Sequence, residues 1–376
     1  MTIPFNKMSV VGNEEKYLLE ALHSGKWCGR GPKTIALENL LKEICKVKYV
    51  FFVTSCTSAL EISCLISNIG PGDEVIMPSF GFVSAANAVV LRGAKPIFAD
   101  VELDSWNLSA RTVAPLLTTK TKAILTVHYA GSSAGIEDLR ELCKQNKLFL
   151  IEDAAQSLGA KRSGKFIGPT PWTTCFSLHE TKNISSGEGG LLMTDSEEIA
   201  SKVEIQIEKG TNRQKFFRGE IDKYTWVDRG SSYIASDLLA AVALGQVEKL
   251  KEITSKRKSF YERYKNGLAE FEGKITWQKT TSDVETNGHV AAFTVDPQVR
   301  AKLISQLKEK GIGVTFHYVP LHDAPFAKEN GFSPTKDLPN TRLISEGLIR
   351  LPIYYSMTEH DVEHVLQTVR SVINKI

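Results

Sequence analysis

Between Ile151 and Gly190 the chain gathers residues that suit one kind of chemistry. Asp153 follows the apolar run 148–151, which has the length and composition of a buried strand. Further on, Lys182 stands in Ser-Leu-His-Glu-Thr-Lys-Asn, ahead of Gly187-Glu188-Gly189-Gly190. An acid at the carboxyl end of a strand and a lysine beyond it suit pyridoxal phosphate. The lysine holds the aldehyde as a Schiff base, and the carboxylate keeps the pyridine nitrogen protonated so that the ring accepts electrons. Burial beside a cationic ring lowers the lysine's pKa and frees its amine to attack a carbonyl. Gln156 is spaced to donate to the ring hydroxyl, and Ser177 to bind the phosphate.

A second group of polar residues, Thr54-Ser55-Cys56-Thr57-Ser58, joins an expected strand to an expected helix. Hydroxyls and unpaired amides at a helix N-terminus make a cradle for a dianion. A single Ser or Thr there would be a plain helix cap; four hydroxyl residues in five favour phosphate. In Pro78-Ser79-Phe80-Gly81-Phe82, Phe82 is placed to stack on a flat ring, and Phe80 reads as core. His128 reads equally as a satisfied core histidine and as a pocket residue. Two glycine patterns are dismissed. Gly159 to Lys165 fits Gly-x4-Gly-Lys, but Phe166 replaces the Ser or Thr that a nucleotide loop needs. The run at 187–190 precedes a strand and opens no helix, so it is no dinucleotide fingerprint.

The elements that must position these residues alternate. Strands are expected at 49–53, 74–77, 96–101, 123–128 and 148–151, with helices at 59–69, 83–91, 110–117 and 136–145 between them. That order means a largely parallel sheet covered on both faces. Two more strands are expected at 172–178 and 190–194, then a helix at 197–208. Two helices, 13–24 and 34–45, precede the first strand. The polar stretch 209–233 carries five aromatic residues and reads as a long ordered loop. A long helix is expected over 236–271, leading into a smaller domain with strands near 276, 289–295 and 313–318. Its helices fall at 297–310, 340–348 and 358–374, the last capped by Thr358. The division is a large domain, 1–245, and a smaller C-terminal α+β domain, 246–376.

Bulk properties bound the rest. The chain has 376 residues, 42% of them hydrophobic and 24% charged, as in ordinary globular proteins. A net charge of +3 gives no reason to expect nucleic acid or a membrane as partner. The six cysteines (28, 45, 56, 64, 143 and 175) include no Cys-x-x-Cys pair. That argues against a metal site or a disulfide framework and suits a reducing cytoplasm. The N-terminus lacks an apolar signal core, so a cytoplasmic enzyme is expected.

Signatures along nearly the whole length resemble the fold type I sugar aminotransferases. They are Gly-Pro at 31–32, Pro-Gly-Asp-Glu-Val-Ile at 71–76, Ala-Asn-Ala at 86–88 and Glu-Asp-Ala-Ala-Gln at 152–156, followed by Gly-Glu-Gly-Gly at 187–190 and His-Tyr-Val-Pro-Leu-His at 317–322. Rarer strings are similar to one branch, the dTDP-4-amino-4,6-dideoxygalactose transaminases: Thr-Ser-Cys-Thr at 54–57, His-Glu-Thr-Lys-Asn at 179–183, Glu-Lys-Gly-Thr-Asn-Arg at 208–213 and the aromatic-rich run at 216–226. The resemblance implies a mostly parallel seven-stranded sheet and a homodimer with its active site at the subunit interface. Lys182 would be the Schiff-base lysine and Asp153 the pyridinium partner. Gln156 would meet the ring hydroxyl, Phe82 would stack on the ring, and Cys56, Thr57, Ser58 and Ser177 would surround the phosphate. Many relatives carry Gly-x-Asn-x-Arg where this chain reads Gly230 to Ile234, so Ser232 replaces an Asn that reaches the neighbouring subunit's cofactor. A serine hydroxyl is shorter and donates only one hydrogen bond. The implied substrates are L-glutamate and dTDP-4-keto-6-deoxy-D-glucose, for surface polysaccharide synthesis. Arg213 and Arg218 are candidates for the diphosphate, and His317 and His322 for the sugar; solvated loop charge is the competing reading for the arginines. An amine delivered at C3, or at C4 in the gluco configuration, is the alternative outcome, and a cofactor-binding regulator without turnover is the rival from another class.

Overall fold

Runs rich in β-branched, leucine and aromatic residues supply the first strands: Tyr49–Val53 (β1), Glu74–Pro78 (β2), Lys95–Ala99 (β3), Thr121–Val127 (β4) and Phe149–Asp153 (β5). In the computed structural model, which describes residues 2–375, a short hairpin follows, Lys161–Arg162 (β6) and Lys165–Phe166 (β7). Next come Thr173–Ser177 (β8) and Gly190–Thr194 (β9). Seven of these form one sheet in the order β1-β9-β8-β5-β4-β2-β3. Only β9 runs against its neighbours, β1 and β8; the other adjacent pairs are parallel. The six co-directional strands therefore end on one edge, which gathers Thr54, Ser79, His128, Asp153 and Ser177. Ligands in open α/β sheets bind at that carboxyl edge.

Alternation along a strand divides the core between the two faces. Phe51 and Val53 enter one cluster with Ile62, Leu125 and Cys175; Val50 and Phe52 enter the other with Leu37, Phe176 and Met193. The dismissed Gly159–Lys165 pattern lies around the β6–β7 hairpin, where Ser163 and Gly164 take positive φ at the turn. No helix among the described residues is long and apolar enough to cross a membrane.

The C-terminal part has its own antiparallel sheet, from Thr276–Trp277 (β10), Ala291–Thr294 (β12) and Leu348–Leu351 (β13), in that order. Between them in sequence, Val284–Glu285 (β11) pairs with β6 of the hairpin. The second core joins Phe260, Tyr264, Phe293, Leu307, Ile349 and Val365, and Ile3 from the N-terminus packs with them. Thr358 and Asp361 form the reciprocal cap expected of the last helix, Glu359–Ile373.

Three expectations are corrected. The helix over 236–271 is two helices, Asp237–Glu248 and Leu250–Gly267, because Lys249 leaves helical geometry where the buried surface changes. The first is buried nearly all round; the second buries a stripe of Leu250, Ile253, Arg257, Phe260 and Tyr264. The segment 313–318 is no strand beyond one bridge from Thr315 to Arg350. The Ser345 hydroxyl takes the Tyr318 carbonyl, at 2.5 Å, that a ladder would have used. The third strand is instead β13, directly after the helix Pro339–Gly347. Finally, the helix expected over 110–117 is α-helical only at Ala110–Val113 and tightens to a 3-10 turn at Ala114–Leu116, where Pro115 sits.

Candidate active site

Asp153 ends β5 in the middle of the carboxyl edge and is buried, its exposure only 6%. The Ala155 amide donates to Asp153 Oδ1 at 3.0 Å, and Cys56 Sγ lies 4.0 Å from the same oxygen. No donor among the described residues meets the other oxygen. Burial pushes the Asp153 pKa up, against the pull of the Ala155 amide, Lys182 and His128. A carboxylate left half-satisfied in a dry site suits a cationic N–H such as a pyridinium.

Lys182 lies in the loop between β8 and β9, which is closed by backbone bonds from Leu178 to Gly189 at 2.9 Å and from Ser186 to Leu178 at 3.0 Å. Its Nζ makes no hydrogen bond or ion pair among the described residues. Burial lowers its pKa, with Cys56 and Asp153 opposing and Arg350 adding to the fall. The same charge acts on His289 and His317, so Asp153 and both histidines lie within electrostatic reach of the amine.

The turn after β1 gathers hydroxyls and amides at a helix start. Ser55 caps the helix Cys56–Ile66 by accepting from the Ser58 amide at 3.0 Å. The hydroxyls of Thr54 and Ser58 lie 2.7 Å apart, and Thr57 donates to the Ser84 hydroxyl at 2.8 Å. The Cys56 and Thr57 amides in this first turn have no acceptor among the described residues. Gly190 explains part of the Gly-rich motif: a Cβ there would fall 2.5 Å from the Cys56 nitrogen and nearer still to the Ser55 carbonyl. Only glycine lets β9 pass this close to the turn. Ser177, at the end of β8, accepts from the His179 amide at 3.3 Å.

Gln156 is buried and held from both ends: its Oε1 accepts from the Ala130 amide at 2.7 Å, and its Nε2 donates to the Tyr318 hydroxyl at 2.9 Å. Phe82 caps the helix Val83–Val90 and is 58% exposed, a free ring face at the edge of the site. Its centroid is 6.3 Å from that of Tyr318. Phe80 is core, as expected. His128 is buried with Nε2 2.9 Å from Glu152, which Arg140 also holds at 2.8 Å. That answers the even choice in favour of a satisfied core histidine, facing away from Asp153 by the alternation of β5.

His317 joins the site through Tyr129, at 3.0 Å from its Nδ1, and through Arg350 at its Nε2. His322 does other work. Its Nδ1 lies 2.6 Å from the Ser79 hydroxyl, which also receives its amide, tying the C-terminal segment to the end of β2. Arg213 packs over the rings of Phe217 and Tyr224, at 4.9 and 5.8 Å. Arg218 is held by Glu204 at 2.8 Å and Glu220 at 2.5 Å. Ser232 is exposed and bridges Glu208 through its backbone. Within one chain these three residues are not brought to Lys182. Tyr129, Tyr318 and Arg350 escaped the sequence reading. Only Tyr318 had a signal, its place in the His-Tyr-Val-Pro-Leu-His string; the others are gathered by tertiary contacts.

The residues thus fit pyridoxal phosphate: a half-satisfied carboxylate, an unpartnered buried amine and an amide turn cleared by a glycine. Comparison with known proteins agrees. The chain is 32% identical to the UDP-4-amino-4-deoxy-L-arabinose–oxoglutarate aminotransferase of Shewanella sediminis, over 99% of this chain and 98% of that one. It superposes on the aminotransferase TlmJ of Streptoalloteichus hindustanus with a TM-score of 0.89 and 28% identity, covering 100% and 99% of the two chains. The NtdA protein of Bacillus subtilis, solved with bound cofactor PMP, superposes with a TM-score of 0.86 and 27% identity, covering 99% of this chain and 85% of that one. The sequence pattern of the DegT/DnrJ/EryC1/StrS aminotransferase family matches residues 9–370, so the chain belongs to that family and is a fold type I aminotransferase that uses pyridoxal phosphate.

Proposed function

We propose that the enzyme moves the amino group of L-glutamate to C4 of dTDP-4-keto-6-deoxy-D-glucose, giving a dTDP-4-amino-4,6-dideoxyhexose of the galacto configuration. The observation that carries the aminotransferase chemistry is the convergence of Lys182 with Asp153 at the carboxyl edge of the sheet. The sugar assignment rests on the strings at 54–57, 179–183, 208–213 and 216–226. The Shewanella relative, by its name an aminotransferase acting between an aminosugar nucleotide and oxoglutarate, supports the general class.

When bound, pyridoxal phosphate supplies the electron sink and carries the amino group between two half-reactions. Lys182 Nζ anchors it; burial favours the neutral amine that this attachment requires. With its amine free, Lys182 would take the donor's α proton as general base. In the second half-reaction it delivers a proton to the sugar's C4. Asp153 would hold a proton on the ring nitrogen, Phe82 would cover the ring, and Gln156 would meet the ring hydroxyl. The Cys56 and Thr57 amides, with the hydroxyls of Thr57, Ser58 and Ser177, would hold the phosphate. His317 lines the sugar side of the pocket.

We read the working unit as a homodimer. The loop 209–233 exposes Phe217 and Trp226, at 59% and 77%, with Tyr224 beside them, apolar area that a second subunit would cover. In that dimer Ser232, Arg213 and Arg218 would face the partner's site. The test is direct: purified enzyme, L-glutamate and dTDP-4-keto-6-deoxy-D-glucose, with the product read by NMR. An axial amine at C4 is expected. An amine at C3 or an equatorial one at C4 overturns the sugar assignment, and no 2-oxoglutarate from glutamate overturns the donor.

A further inference from the structure

Three consecutive backbone carbonyls between β11 and β12 are all claimed by buried side chains. The Asn287 carbonyl accepts from Asn183 Nδ2 at 2.9 Å. The Gly288 and His289 carbonyls accept from Arg257, through Nε at 3.2 Å and Nη2 at 2.9 Å. The segment's own side chains are committed as well. Asn287 Nδ2 lies 2.9 Å from the carbonyls of both Gln156 and Leu158, and its Oδ1 accepts from the His289 amide at 3.1 Å. His289 Nδ1 lies 2.9 Å from Asn183 Oδ1. Asn183, Arg257, Asn287 and His289 are all buried. Gly288, at a φ of +63°, lets the segment pass the helix Leu250–Gly267: a Cβ there would fall 2.6 Å from the Arg257 backbone.

These bonds meet on the residue next to Lys182. Asn183 Nδ2 faces the Asn287 carbonyl, so its Oδ1 faces His289 and the imidazole carries a proton on Nδ1. Burial, and then the charges of Lys182, Arg257, Arg350 and His317, hold the His289 pKa well below its ordinary value, so the ring is a neutral donor of fixed direction. On the other side, the Lys182 amide donates to the His179 carbonyl at 2.9 Å. The backbone carrying the amine is thereby tied before and after, and the second tie runs out of the loop into the C-terminal part. Arg257 has no acid within ion-pair distance among the described residues, and burial drives its pKa down to about 9. A buried guanidinium given wholly to two carbonyls is costly; what it secures here is the position of residues 288 and 289.

We propose that His289 is a positioning residue for Lys182: acting through Asn183, and held in turn by Asn287 and Arg257, it fixes the backbone from which the amine reaches the cofactor's aldehyde. The inference rests on the reading that Lys182 anchors pyridoxal phosphate. A lysine displaced by a fraction of an ångström is off line both for attachment and for proton transfer. Asp153 and the turn at 55–58, which receive the ring and the phosphate, make no bond to this tie and stay where they are.

Two forms of the cofactor separate positioning from mere packing. Pyridoxal phosphate bonds to the lysine, whereas pyridoxamine phosphate fills the same pocket and forms no such bond. The apoenzyme is titrated with each. His289→Leu is expected to weaken pyridoxal phosphate about 10-fold, the usual worth of one buried hydrogen bond whose partner is left unpaired, and to hold pyridoxamine phosphate within about two-fold. His289→Asn puts an amide nitrogen near the place of Nδ1 and should restore pyridoxal phosphate to within about three-fold of the parent. In single turnovers with glutamate deuterated at Cα, the leucine variant should be slower and show a larger isotope effect, because Lys182 moves that proton. Asn183→Ala cuts the same tie from its other end and carries the test if the leucine variant misfolds. Equal losses of the two cofactor forms overturn the proposal, since the segment would then only hold the pocket together; unchanged affinity for both overturns it too. Failure of the anchor reading looks different: Lys182→Ala would bind pyridoxal phosphate as tightly as the parent, whatever stands at position 289.

Discussion

Gly190→Ala tests the link between sheet packing and cofactor binding. A methyl group there would sit 2.5 Å from the Cys56 nitrogen and nearer still to the Ser55 carbonyl, so reaching an ordinary 3.4 Å contact needs more than about 0.9 Å of movement. The obstacle is backbone on both sides. β9 is paired to β1 and β8 along its length and cannot retreat; the turn Ser55–Cys56 must move instead. Overpacking of this kind costs about 1–3 kcal/mol of stability. The same shift pulls the Cys56 and Thr57 amides out of line with the phosphate. Two charge-assisted hydrogen bonds, at about 1.5 kcal/mol each, set the loss near 3 kcal/mol, roughly 100-fold in the dissociation constant of the cofactor. The assay is equilibrium titration of the apoenzyme with pyridoxal phosphate, beside a thermal melt. Gly187→Ala is the control: its Cβ meets nothing within 4 Å, and only the φ of +84° opposes it. That should cost about 1 kcal/mol of stability and leave cofactor affinity alone. If Gly190→Ala binds the cofactor within about three-fold of the parent, the turn at 55–58 does not hold the phosphate and the reasoning fails.

Lys182→Ala should abolish turnover and leave the cofactor removable by dialysis even after borohydride treatment; mass spectrometry after borohydride should show no adduct, and ordinary steady-state rates would remove Lys182 from the chemistry. Asp153→Asn should slow both half-reactions by orders of magnitude and alter the cofactor's absorption, since a neutral pyridine is a poor electron sink; an unchanged spectrum would mean that the ring nitrogen has another partner. Glu152 gives a pH test. Burial opposes its ionisation, but His128 and Arg140 overcome that and hold its carboxyl below the usual range. A depressed carboxyl contributes stability that is present above its unfolded pKa and lost as pH falls through the folded one. Glu152→Gln should therefore destabilise by about 3 kcal/mol at neutral pH. The gap from the parent should narrow on acidification below about pH 4; a gap that stays constant in denaturant titrations across that range would refute the pairing.

The local and periodic features were legible in the chain itself. Strand and helix alternation through Asp153 needed only side-chain patterning, because buried parallel strands are short apolar runs whatever their partners. Asp153, Lys182 and the hydroxyl-rich turn at 54–58 could be singled out because their chemistry depends on residue type and on lying at strand ends, and both are local. What escaped depends on contacts between distant segments. The break at Lys249 follows from which surfaces bury each half of the helix, and the loss of a strand at 313–318 from the Ser345 hydroxyl claiming a carbonyl. The roles of the histidines parted in the same way: His128 and His322 are taken by Glu152 and Ser79, while His317 reaches the site through Tyr129 and Arg350. A lone arginine in a strand carries no mark of function in one dimension. Folding sets Arg350 against His317 and buries the Arg257 guanidinium on the Gly288 and His289 carbonyls, contacts that no local pattern announces.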